Sequence, residues 1–259
     1  KTYMVPSNNG GGDSNKPGYY SGNAVWESTF AVDPARGLLY IDTGNNYSVP
    51  DGVCTTQQQT GCTPPAADDY VDSILALKLS NGTIAWADHT LSTDLWTIPQ
   101  PIGPDFDFGA GPNLFTTVNP ATHRPEQLLG AGAKSGVYWA VDPATGKVAW
   151  QTTIGPADVV TNAGIEYGTA TDGRRIYAAE ADTAGLPYTL GGSGPYAGKT
   201  VTGGSWAAMD PANGKILWQT PDPAGAVDAG FVSVANGVVY GGWMATTGTD
   251  MYAQDAATG

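Results

Sequence analysis

Three stretches of this chain are variants of one another: ALKLSNGTIAW (76–86), AVDPATGKVAW (140–150) and AMDPANGKILW (208–218). A fourth, AQDAATG (253–259), opens the same way. Lys78, Asp142, Asp210 and Asp255 hold the turn position, and Gly82, Gly146, Gly214 and Gly259 follow four residues later. Trp86, Trp150 and Trp218 close the three full copies. The pattern is that of a β-hairpin. An alternating strand runs into Asp-x-x-x-Gly, where the Asp side chain caps the turn and Gly supplies φ > 0. The returning strand ends on a Trp whose flat ring suits packing on a neighbouring sheet.

A second hairpin precedes each of these: FAVDPARGLLYIDTG (30–44), YGTATDGRRIYAAEA (167–181), VSVANGVVYGGW (232–243) and, more loosely, FTTVNPATHRPEQLLGAG (115–132). Each copy is therefore a unit of four short strands. Four-stranded units repeated in series make a β-propeller. Almost nothing reads as a helix, and a plain β-sandwich leaves the recurring Asp–Gly–Trp spacing unexplained. The expectation is an all-β chain, a single propeller domain over residues 1–259, with blades near 24–89, 108–155, 164–222 and 227–259. The fourth unit stops before its last strand. A closed four-blade ring would need residues 1–22 to supply that strand; a longer protein with further blades is the favoured alternative.

Composition narrows the class. The formal net charge is -13 and no basic run occurs, which argues against a nucleic-acid partner. No run of about 18 apolar residues exists to span a membrane as a helix. The chain is rich in turn formers, with 36 Gly and 19 Pro, yet 41% of it is hydrophobic, which argues against disorder. Cys54 and Cys62 are the two cysteines, set in a polar Thr/Gln stretch with no further metal ligand near. A local disulfide is favoured over two free thiols, and it points to a secreted or periplasmic protein.

One segment stands out chemically. Asp105 and Asp107 lie two apart in DFDFGAGPNLF, flanked by Phe106 and Phe108. In a strand, residues two apart share a face. Two carboxylates on one face repel unless something positive lies between them: loose counterions, a metal, or a lysine from elsewhere.

These repeats resemble those of the alcohol dehydrogenases that use pyrroloquinoline quinone (PQQ), which are eight-bladed propellers. About four of an expected eight blades are then present. AVWESTFAVDPARGLLYIDTGNNYS (24–48), DSILALKLSNGTIAW (72–86), DFDFGAGPNLF (105–115) and GAKSGVYWAVD (132–142) carry the resemblance. GNNYSVPDG, GIEYGTATDGRRIY and MYAQDAATG are most similar to the branch typified by polyvinyl alcohol dehydrogenases. The resemblance implies PQQ and calcium as cofactors. It implies oxidation of an alcohol substrate, polymeric ones included, and electron transfer to an external acceptor such as a cytochrome. It gives Asp107 as the catalytic acid–base group and a calcium ligand, with Asp105 as a further or alternative ligand. Asn45 of Thr-Gly-Asn matches a calcium ligand that also contacts the cofactor, and Thr43 stands in the same motif. Lys134 matches the basic residue that hydrogen-bonds the quinone oxygens. Trp26 is the candidate floor under the cofactor ring, and Glu166 lies where an asparagine near the cofactor is common. Adjacent cysteines are absent, and so is C-x-x-C-H, so no covalently attached haem is encoded. The competing expectation is a non-catalytic propeller that binds protein or polysaccharide.

Overall fold

The computed structural model describes residues 1–6, 18–26, 29–54, 61–91, 96–97, 104–157, 163–242 and 251–259. In chain order the strands are β1 (Ser21–Gly22), β2 (Ala31–Asp33), β3 (Leu38–Asp42), β4 (Asn46–Ser48), β5 (Ser73–Lys78) and β6 (Ile84–His89). Then come β7 (Ala110–Val118), β8 (Pro125–Gly132), β9 (Val137–Val141) and β10 (Val148–Thr153). They are followed by β11 (Ala170–Thr171), β12 (Ile176–Glu180), β13 (Tyr188–Thr189), β14 (Thr200–Val201), β15 (Ser205–Met209) and β16 (Ile216–Pro221). β17 (Ser233–Ala235), β18 (Val238–Gly242) and β19 (Met251–Asp255) complete the set.

Three antiparallel four-stranded sheets form in the orders β2-β3-β5-β6, β7-β8-β9-β10 and β11-β12-β15-β16, and β17-β18-β19 makes a three-stranded fourth. The small pairs β1-β4 and β13-β14 stand beside them. The first strands of successive sheets touch, β2 with β7, β7 with β11 and β11 with β17, so the inner edges gather on one side. This is the all-β propeller architecture the repeat predicts, and no described residue is helical.

The repeat explains how one sheet holds the next. Asp142 caps its turn by accepting from the N–H groups of Ala144 (2.7 Å) and Thr145 (3.0 Å), Asp255 does the same with Ala257 and Thr258, and the Asp210 side chain accepts from Ala212 N–H (2.8 Å). Gly82, Gly146 and Gly214 each take φ of 75°, and Gly259 takes 88°. On the returning strand the register slips just before each Trp, leaving Ala85, Ala149 and Leu217 as bulge residues. A bulge re-aims the side chain that follows it. The tryptophan thus turns toward the next sheet. Trp86 lies on Gly146, Trp150 on Gly214 and Trp218 on Gly259, where any Cβ would come within 2.5, 2.4 and 2.8 Å of the ring. Each indole N–H donates to the carbonyl that follows the turn aspartate, or its counterpart: Pro143 (3.1 Å), Pro211 (3.1 Å) and Ala256 (3.2 Å). Tyr40 and Tyr177 add hydroxyl bonds to the Pro143 and Ala256 carbonyls.

The core lies between sheets rather than within any one of them. Tyr40, Ile74, Phe108, Leu129 and Val141 fill the first gap; Phe115, Leu128, Tyr138, Ile176 and Met209 the second; Tyr177, Trp206, Trp218 and Val239 the third. Alanines at 76, 131, 140, 178 and 207 let the sheets approach closely. Cys54 and Cys62 are disulfide-bonded, as expected, in the loop between β4 and β5.

Candidate active site

Five connections meet at one end of the first two sheets. Backbone hydrogen bonds lace them together. The Asn23 N–H donates to the Asn45 carbonyl (2.7 Å), and the Gly44 N–H to Ala24 (3.0 Å). The Phe108 N–H donates to Thr43 (3.3 Å), the Lys134 N–H to Asp107 (3.0 Å) and the Ile165 N–H to Ala133 (3.0 Å). Residues far apart in sequence are thereby fixed as one unit.

On this frame the side chains of Asn45, Asp105, Asp107, Lys134 and Glu166 converge, all of them buried. Lys134 Nζ lies 2.8 Å from Asp107 Oδ1, 3.4 Å from Asp105 Oδ2 and 3.8 Å from Glu166 Oε1. Of the candidates raised by the sequence for the charge between the two aspartates, the lysine is present. The Asn45 amide faces both acids. With its nitrogen toward them it donates to Asp105 Oδ1 (2.7 Å) and Asp107 Oδ2 (3.2 Å). With its oxygen toward them it joins two carboxylate oxygens in a three-oxygen set. The segment around Asp105 is not a strand, contrary to the reasoning from spacing: β7 begins only at Ala110. The two acids meet because the irregular stretch 104–109 is pinned at Thr43 and Lys134.

The electrostatics follow from burial. Desolvation pushes the Asp107 carboxyl up to about 7, against the opposing pull of Lys134 and with the help of Asp105. Desolvation likewise takes Glu166 up to about 7, again opposed by Lys134. Burial acts to lower the Lys134 ammonium, but Asp107, Glu166 and Asp105 together hold it above the usual lysine range. One ammonium faces three carboxylates. If all three ionise, the cluster lacks positive charge.

The cluster borders a cavity of about 280 Å³ lined by Ala24, Trp26, Gly44, Asn45, Tyr47, Trp96, Asp105, Asp107 and Lys134. That is near the lower end of small-ligand sites. Trp26 lies against two glycines: a Cβ on Gly44 would come 2.9 Å from its Nε1, and one on Gly109 2.7 Å from its six-membered ring. Lys134 Nζ stands 5.3 Å from the ring centre, within cation–π range. Tyr167 meets the ring edge-on at 6.0 Å. A larger open hollow of about 640 Å³, lined in part by Thr116, Pro125, Arg174, Arg175 and Asp210, holds none of these groups.

The sequence therefore names six residues that the fold brings together: Trp26, Asn45, Asp105, Asp107, Lys134 and Glu166. Thr43 is different. It does not line the cavity. Its hydroxyl donates to the carbonyls of Tyr70 (2.5 Å) and Ser73 (3.3 Å) and accepts from the Ser73 N–H (3.0 Å). It holds the Asn45 loop in place rather than offering a cofactor contact. Tyr47 and Trp96 are lining residues that sequence reasoning missed. Tyr47 was within reach, since it stands two residues after Asn45, where extended backbone repeats its face. Nothing in the sequence around Trp96 marks it.

Residues 3–150 match the glucose/ethanol/alcohol dehydrogenase β-propeller family, which uses PQQ. The chain belongs to this family. Among characterised relatives, the polyvinylalcohol dehydrogenase of Sphingopyxis sp. (strain 113P3) is 30% identical over 237 residues, covering 86% of this chain and 32% of that protein. A quinohemoprotein alcohol dehydrogenase of Pseudomonas putida is 28% identical over 127 residues, 49% of this chain and 15% of that one. The chain thus spans about a third or less of the relatives it matches. Its fold agrees with the structure of quinohemoprotein alcohol dehydrogenase from Comamonas testosteroni, at a TM-score of 0.60 and 16% identity, covering 92% of this chain and 40% of that one.

The residues present fit the family's cofactor chemistry. The cavity has a flat aromatic wall in Trp26 and a cation in Lys134. The buried Glu166 Oε2 lacks a hydrogen-bond partner. Among the described residues no three His, Cys, Asp or Glu side chains gather closely enough to hold a metal unaided. A hard cation here would draw on Asp105, Asp107 and the Asn45 amide oxygen, with the remaining oxygens supplied by the cofactor.

Proposed function

We propose that this chain is the substrate-oxidising part of a calcium- and PQQ-dependent alcohol dehydrogenase acting on secondary alcohols, including those along a polymer such as polyvinyl alcohol. The observation that carries this reading is the convergence of Asn45, Asp107 and Lys134 on one aromatic-walled cavity. Electrons leave to a separate acceptor such as a cytochrome, and the protein works outside the cytoplasm. The internal disulfide and the relatives' chemistry support both statements.

When bound, the quinone supplies the two-electron acceptor, and calcium supplies a Lewis acid that polarises it. The chain's own residues do the rest. The Asp107 carboxylate takes the alcohol proton, and its elevated proton affinity suits a general base working near neutral pH. Lys134 would present its positive charge to the oxygens of a quinone bound against Trp26. It also keeps Asp107 ionised by direct pairing at 2.8 Å. Trp26 offers a flat surface to a flat ring, and Asn45 sets the direction of both acids. Glu166 adds a third carboxylate 3.8 Å from Lys134 and helps to keep it charged.

Turnover of the full-length protein, supplied with PQQ and calcium, tests this reading. Asp107→Asn retains shape and removes the base, so kcat falls by roughly 10²–10⁴-fold. Unchanged turnover in that variant contradicts the proposal.

A further inference from the structure

Asn45 is held on both sides by residues that do not line the cavity. Two positions before it, the Thr43 hydroxyl is tied to the Tyr70 carbonyl (2.5 Å). One position after it, the Asn46 side chain is fully buried and its Nδ2 donates to Asp69 Oδ2 (3.0 Å). The other Asp69 oxygen, Oδ1, accepts from Asn23 Nδ2 (2.8 Å). Asn23 is the residue whose backbone N–H donates to the Asn45 carbonyl (2.7 Å). One carboxylate therefore grips both the next residue along the chain and the residue clamped to the Asn45 carbonyl.

Little in this arrangement is free to slide. β1 pairs with β4, and a Cβ on Gly22 would come 2.3 Å from Tyr47 N and 2.6 Å from the Asn45 carbonyl oxygen, so residues 22–23 lie flush on 45–47. Asn23 takes φ of 50°, a left-handed backbone that Asn tolerates better than most residues. The amide oxygens of Asn23 and Asn46 are buried without a hydrogen-bond partner. Their orientation thus rests on their nitrogens, which bond Asp69 and, from Asn23, the Met4 carbonyl (2.9 Å). Asp69 and Tyr70 are adjacent, so one short segment fixes positions 43 and 46 together.

Asp69 is itself 2% exposed, and among the described residues no cation pairs with it. A carboxylate buried without a cation is unfavourable, and an apolar residue would be less so there. What the carboxylate offers is acceptors for both amides at once. Asp69 does not border the cavity, so it is no ligand. We propose that Asp69 is a positioning residue of the active site: through Asn46 and Asn23 it holds the Asn45 amide toward Asp105 and Asp107, and so sets how tightly the site takes a calcium ion. This rests on the calcium-dependent reading above.

The experiment is a calcium titration of the full-length protein with PQQ in excess, read by the absorbance change of the bound quinone and not by turnover. Asp69→Ala, which removes both acceptors, should raise the calcium concentration at half-saturation about 10–100-fold, the usual effect of losing a residue that orients a metal ligand. Asp69→Asn keeps the shape and one acceptor, so it should raise that concentration roughly fivefold, the worth of one hydrogen bond. It decides the matter alone if Asp69→Ala does not fold. Val239→Ala, a truncation in the core between the third and fourth sheets, controls for general loosening and should lower Tm without moving the half-saturation point. The inference is overturned if the Asp69 variants take up calcium like the parent, or if Val239→Ala weakens uptake as much as Asp69→Ala does. A parent that takes up no calcium ends the reading of the site and this inference with it; parent-like variants of a parent that does take it up end this inference alone.

Discussion

Lys134 is the residue on which the site's charge depends. Among the described residues it is the one cation paired with the three buried carboxylates, and removing it leaves them facing one another. Lys134→Met therefore destabilises the fold by about 3–5 kcal/mol, the range for breaking a buried ion pair from one side. Chemical denaturation near pH 7 measures this, and the deficit shrinks in acid as Asp107 and Glu166 take up protons. A buried carboxyl outside the site gives a complementary pH signature. Glu180 is fully buried in the third sheet, accepting from Gly164 N (3.1 Å) and Asp182 N (3.3 Å), with Oε2 unpartnered. Desolvation raises its carboxyl from 4.5 to about 8. Below pH 4.5 the folded and unfolded chains both hold this proton, and its ionisation imposes no penalty. Between 4.5 and 8 only the unfolded chain releases it, so stability declines as pH rises. Glu180→Gln should match the parent in thermal melts near pH 4 and melt higher than it at pH 8. Equal melting at both values rules out the burial argument. At this scale the sequence is legible where chemistry is explicit. Asp107, Lys134 and Asn45 stand in segments similar to a known family. Glu180 and Tyr47 lie in ordinary-looking strand sequence, and only packing shows what surrounds them.

The docked tryptophan-on-glycine contact is the unit of construction among the sheets. Trp218 is nearly fully buried on Gly259. Trp218→Ala is expected to cost about 3–5 kcal/mol, as for large aromatic truncations in a core. Trp218→Phe preserves most of the packing and loses the bond to the Ala256 carbonyl, costing roughly 1 kcal/mol from the bond. Equilibrium unfolding separates the two, and equal losses would mean that the hydrogen bond rather than the ring holds the sheets. The Asp–Gly–Trp spacing announces this contact in the sequence, because turn capping, left-handed backbone and aromatic packing each demand one residue type. The bulges at Ala85, Ala149 and Leu217 are less visible. They arise from the conflict between strand alternation and the direction each Trp must face. The 104–109 segment is a real departure from the sequence pattern. Its alternation of Asp and Phe imitates a strand, while its course is set by bonds to Thr43 and Lys134.

At the scale of the whole molecule, the inner strands touch in sequence and the loops carrying the site rise from their shared end. Gly109 shows how tightly the two are joined. A methyl group there would come 2.1 Å from the Glu166 carbonyl and 2.7 Å from Trp26. Gly109→Ala should displace the wall of the cavity, weakening PQQ binding at least tenfold in a titration of the full-length protein while leaving its Tm less affected than Trp218→Ala does. The propeller was readable from the repeat because each blade restates the same local instructions. The cavity was readable only as a set of family-like residues, since its shape depends on backbone bonds among five separated connections. The crystal structure of the full-length protein with PQQ and calcium tests the central claim most directly. The cofactor should lie against Trp26 with its oxygens at Lys134 and the metal at Asn45 and Asp107; a cofactor seated elsewhere, with these side chains bare, contradicts it.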